Sequence, residues 1–148
     1  MIKGFFYLGA IVFMIYELSW ILTPLTRVKS KIKYDVLSKE FKNKKWDDYS
    51  DEYKGMLKSK LLFHLPMILW MFLGLFTYNW GLFACFLFFE IFITSPLSRL
   101  FKYNYVYTFI HWVNSVIGFC FSLLVLINAY HLHIDFSGII VSFIESFF

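Results

Sequence analysis

Two carboxylates, two histidines and one asparagine are the residues whose types and placement could do chemistry. Glu17 and Glu90 each stand alone inside a long apolar run, and His64, His111 and Asn114 lie in two further runs. A carboxylate at mid-bilayer costs at least about 2.5–3.5 kcal/mol on insertion scales. Residues placed there must therefore face the bundle interior, a water pocket or a protomer interface. Counting back from Arg27 and Arg99 at the helical rise puts both acids roughly 13–15 Å from the nearest basic residues. His111, nine residues past Lys102, and Asn114, one turn on, reach a comparable depth. The expectation is one polar layer of Glu17, Glu90, His111 and Asn114, with His64 nearer the basic end. Acids balanced between burial and a polar partner suit proton or cation binding. The plainer role is a set of hydrogen bonds holding helices together.

The elements that position this layer follow from composition. The chain has 148 residues, 59% apolar and only 16% charged. A soluble domain carries about 25% charged residues, so an ordinary globule and a disordered tail are both excluded. Spanning a hydrocarbon core takes about 20 helical residues. Residues 4–24, 61–78, 81–97 and 105–130 meet or approach that length. The expected fold is all-α: a single polytopic membrane domain with four transmembrane helices arranged as two hairpins. Residues 4–24 read as an uncleaved span, because no small-x-small cleavage site precedes Arg27. Asn79, Trp80 and Gly81 supply a tight turn and an interfacial aromatic anchor between the second and third spans.

The basic residues set orientation. Eleven lie from Arg27 to Lys60, two more are Arg99 and Lys102, and Lys3 alone lies on the other side. Short loops rich in Lys and Arg stay cytoplasmic, so both termini are expected outside. The cytoplasmic loop, residues 25–60, carries Trp46, Tyr49, Tyr53, Met56 and Leu57 at helical steps. Acids at its start and lysines at its end complement a helix dipole. An amphipathic helix over 46–60 running into the second span is expected, with a further turn or two around Asp35 to Phe41. Residues 28–60 are the candidate surface for lipid headgroups or a cytoplasmic protein partner. The apolar tail, residues 134–148, is too short to span once a turn at Ser137–Gly138 is allowed. It reads as an outer-face interfacial helix that could meet a neighbouring protomer.

Further patterns bear on function. Pro24-Leu25-Thr26-Arg27 is echoed by Pro96-Leu97-Ser98-Arg99, which raises an internal repeat. Ser115, Gly118 and Ser122 form a small-residue face on the fourth span suited to close helix packing. His64 and His111 could serve as axial ligands of a redox centre. His131, His133 and Asp135 would converge on a metal only in an extended segment. Cys85 and Cys120 read as small buried hydrophobes. Glycine-rich phosphate loops and GxSxG, HExxH and CxxC motifs are absent from the sequence. No metal, cofactor or nucleic acid is expected.

Lys outnumbers Arg 12 to 2, a bias that fits AT-rich coding and a bacterial cytoplasmic (inner) membrane. The first functional expectation is a non-enzymatic, homo-oligomeric membrane-complex component or channel whose polar layer lines a pore. A proton- or cation-coupled small transporter using Glu17 and Glu90 is the alternative. A redox or metal-binding protein using His64 and His111 is the third.

Overall fold

The computed structural model describes residues 2–77, 79–102 and 104–147. The expected ends of the second span and of the tail, Tyr78 and Phe148, lie outside the described residues. Among those described, every regular element is helical. The first helix, α1 (Ile2–Leu22), stops because Thr23 precedes a proline. Proline disfavours the α conformation in the residue before it, and Thr23 sits at φ −130°, ψ 52°. The chain turns by 99° there. Pro24 then opens α2 (Pro24–Glu40), where its missing N–H costs nothing.

An aromatic cluster folds the next segment back. Phe41 stacks on Tyr53 with centroids 5.2 Å apart, and Tyr49 and Tyr34 close on the same ring. The expected helix over 46–60 divides into a 3-10 turn at Trp46–Asp48 and the start of α3 (Asp51–Thr77). Residues 51–60 are the first turns of a long helix that continues into the second span, as expected. The expected turn or two near Asp35 belongs to α2, which runs for 17 residues.

Asn79 caps α4 (Trp80–Leu100), accepting from the Leu82 N–H. A π-helical stretch, Phe89–Thr94, interrupts α4 without breaking it. Asn104 caps α5 (Tyr105–Leu132), whose last turn, Asn128–Leu132, is also π-helical. His133 closes that helix in the left-handed conformation at φ 50°. Asp135 then caps α6 (Phe136–Glu145), accepting from Gly138 N–H at 3.0 Å. The expected turn at Ser137–Gly138 does not form, because that cap makes these residues the first turn of α6.

Among the described residues three helices are long and apolar enough to cross a membrane: Asp51–Phe76, Trp80–Leu100 and Tyr105–Leu132. The bent pair Phe6–Leu22 and Pro24–Glu40 is a fourth candidate. The echo at the two prolines is not kept in three dimensions. The helix breaks at Pro24, whereas Pro96 lies in the first turn of a helical stretch continuous with the π segment.

The packing divides the molecule into a dense end and a hollow end. At the dense end Phe6, Phe13, Trp70, Phe83, Phe86 and Phe121 interlock, with Phe86 stacked on Phe121 at 4.2 Å. Gly9 and Gly74 admit the Trp70 and Phe83 rings into places a Cβ would occupy. The Trp70 indole N–H donates to Phe6 C=O at 2.8 Å, which satisfies the polar atom of a side chain only 1% exposed. Beyond this core lies a polar knot. Asn79 and Asn128 both donate to Ile134 C=O, at 3.0 and 3.1 Å, and Ser137 donates to Asn79 Oδ1 at 3.0 Å. The knot ties α6 to the start of α4.

Candidate functional site

The hollow end holds a cavity of about 1030 Å³, bounded by α1, α2, α3, α4 and α5. Phe13 and Phe86 of the aromatic core also line it, so the core forms its floor. Just above that floor stand the acids. Glu17 on α1 is 7% exposed. Its carboxyl lies beside the Ser115 hydroxyl of α5 and rests in the space left by Gly118. Glu90 on α4 accepts from Asn114 Nδ2 at 2.7 Å, and Asn114 Oδ1 accepts from Thr94 at 2.8 Å. The π-helical stretch contains both Glu90 and Thr94 and turns them to the same asparagine. π-turns inside α-helices recur at functional sites.

The structure brings Glu17, Glu90, His111, Asn114 and Ser115 to one cavity. It does not pair His111 with either acid. His111 Nε2 lies 3.1 Å from Lys31 Nζ of α2. An ammonium donates and has no lone pair, so that ring nitrogen accepts. Trp20 and the edge of Tyr107 enclose the same imidazole. His64 lines the cavity from α3, yet its Nδ1 bonds Lys60 C=O of its own helix at 3.1 Å, and its ring meets Tyr16. The two histidines thus have separate surroundings.

The remaining candidates fall elsewhere. Ser115, Gly118 and Ser122 are buried within the protomer, where α5 packs closely on α1. His131 lies on the terminal π turn of α5, His133 in its left-handed closure, and Asp135 in the cap of α6. Among the described residues no three His, Cys, Asp or Glu side chains are gathered as a metal site would require. Cys85 and Cys120 are both exposed on helix surfaces and not buried as expected.

Sequence reasoning missed the contribution of α2. Lys31 and Arg27 were two of eleven like charges in a loop, with nothing local to separate them. The available signal was Val28, Lys31 and Asp35 at i, i+3 and i+7, one face of a helix opened by Pro24. In the structure Val28 is buried, Lys31 reaches His111, and Asp35 pairs with Lys102 at 3.2 Å. Lys33 pairs with Glu52 on α3. These contacts hold α2 across the open end of the cavity.

No protein-family model, curated protein or solved structure matches the chain.

Proposed function

We propose that this chain is a small integral membrane transporter whose single protomer carries its own cavity. In this reading Glu17 and Glu90 bind the proton or cation that drives movement of a solute. The chain crosses the membrane four times, as two hairpins, α1 with α3 and α4 with α5. Both termini lie outside and the basic segments lie in the cytoplasm, on the strength of the 13 to 1 division of Lys and Arg. α2 rests along the cytoplasmic surface, and α6 along the outer one.

The observation that carries the reading is that Glu17 and Glu90, from two helices, line one cavity whose far end is sealed by the aromatic core. Acids inside a membrane protein face a polar interior or a pathway. Here both turn into the protomer. That favours a transporter over a pore along an oligomer axis, which would need the polar layer on an outward face. A cavity open at one end only matches one state of an alternating-access cycle.

The test is flux in liposomes loaded with a pH-sensitive dye under an imposed pH gradient. The wild-type protein is expected to carry proton flux. Glu17→Gln and Glu90→Gln should fold and lose at least tenfold of it, since Gln keeps the hydrogen bonds but cannot ionise. Wild-type flux in both variants would overturn the assignment.

A further inference from the structure

The cavity mouth has a charge imbalance that the acid layer does not resolve. Arg27, Lys31 and Lys60 all line it. Their partners are neutral: the Ser19 hydroxyl for Arg27 at 2.8 Å, the imidazole of His111 for Lys31, and the Tyr34 ring for Lys60 at 4.1 Å. The mouth carboxylates are engaged by other lysines, Asp35 by Lys102 and Glu52 by Lys33. Among the described residues no ion pair includes Arg27, Lys31 or Lys60. Arg27 and Lys60 are exposed, and Lys31 is partly buried, with Asp35 and Glu90 attracting its charge and Lys60 and Lys102 repelling it. Buried charges are normally paired, because an unpaired one forfeits its hydration.

The wall beside these cations is apolar. Met67, Ile68, Met71 and Phe72 of α3 line the cavity, and Ile68 and Phe72 are about half exposed. That wall therefore offers uncovered apolar surface beside the cations. The volume stands at the top of the usual range for small-molecule sites, about 300–1,000 Å³.

We infer that the mouth binds an amphipathic anion, with a carboxylate or phosphate head on Arg27, Lys31 and Lys60 and a hydrocarbon tail along the α3 wall. This deepens the transport reading by naming the class of solute. The head group supplies an anion that all three cations can share, and the tail covers apolar surface the protein leaves bare. Glu17 and Glu90 lie nearer the aromatic floor than the cations, with Glu90 still within electrostatic reach of Lys31.

The experiment is equilibrium binding to the full chain in neutral maltoside detergent, read by calorimetry. The probes are dodecyl phosphate, inorganic phosphate and dodecyltrimethylammonium, the first and last below their micellar concentrations. Dodecyl phosphate is expected to bind at least tenfold more tightly than either of the others. Lys31→Gln should weaken it at least tenfold, and Lys31→Arg should restore most of that loss. Lys60→Gln, at an exposed position, should weaken it several-fold, which keeps the test open if Lys31→Gln does not fold. Lys39→Gln, on α2 but away from the cavity, should change nothing.

Inorganic phosphate binding as tightly would remove the tail from the proposal. Tighter binding of the ammonium probe would reverse its sign, and unchanged binding in Lys31→Gln and Lys60→Gln would remove the site. Binding without coupled flux would overturn only the transport reading. Coupled flux without dodecyl phosphate binding would overturn only this one.

Discussion

Gly118 is the socket for Glu17: a Cβ on Gly118 would lie 3.1 Å from both Cγ and Cδ of that side chain. The small-residue face of α5 therefore does more than let two helices approach. It seats a carboxyl beside Ser115 at the floor of the cavity. Gly118→Ala should cost a modest amount, because the acid must shift by a few tenths of an ångström. Gly118→Val should cost about 1–3 kcal/mol, the usual range for overpacking. Thermal melts in detergent measure both. Glu17→Ala should relieve much of the Gly118→Val loss, and an additive double variant would show that the two side chains do not compete.

The second prediction concerns Asn114, which donates to Glu90 and accepts from Thr94. Interhelical polar pairs in membranes are worth about 0.6–2 kcal/mol. A double-variant cycle of Glu90→Gln and Asn114→Ala should return a coupling in that range from melting curves. A coupling of zero would mean the asparagine does not hold the acid.

How much of this was legible in the sequence depended on whether the signal was local. The depth of Glu17, Glu90, His111 and Asn114 follows from counting residues along helices, and all four line one cavity. Counting could not assign partners, because those depend on helix rotation, and the π stretch in α4 changes that rotation with no mark in the sequence. Residues 24–40 read as part of a basic loop because charge outweighed a sparse apolar spacing, so the helix crossing the cavity mouth went unseen. The tail docks on its own α4 through Ser137 and Gly81, a contact with no mark in the sequence.

That docking gives the third prediction. A Cβ on Gly81 would lie 2.8 Å from the Phe136 carbonyl oxygen, a backbone atom that cannot swing aside. Gly81→Ala should lift the start of α6, seen as faster hydrogen exchange over residues 136–145. Ser137→Ala, which removes the acceptor for Gly81 N–H and the donor to Asn79, should do so more weakly. Unchanged exchange in both would separate the tail from the knot.

The fourth prediction follows from Lys31, on the surface helix α2. Burial pushes its ammonium below the usual lysine range. Asp35 opposes this, Lys60 adds to the lowering, Glu90 opposes it and Lys102 adds to it. The unfolded chain then holds this proton over a pH window in which the folded chain has lost it. Stability should therefore rise with pH between the lowered folded value and the ordinary lysine value of about 10.4. The penalty for the buried charge is fully present below that window. Comparing Lys31→Met with wild type across alkaline pH isolates the effect: the variant should lack this rise. Parallel curves would assign the slope to other groups.

The central claim is a cavity reached from the basic face alone and closed at the far end by aromatic packing. Thiol labelling at its floor tests this most directly. In a background with Cys85 and Cys120 replaced by Ala, Asn114→Cys is exposed to a charged, membrane-impermeant methanethiosulfonate reagent from each side. Labelling is expected in inverted vesicles, where the cytoplasmic face is outward, and protection in intact spheroplasts. Labelling in spheroplasts, or protection from both sides, would contradict it.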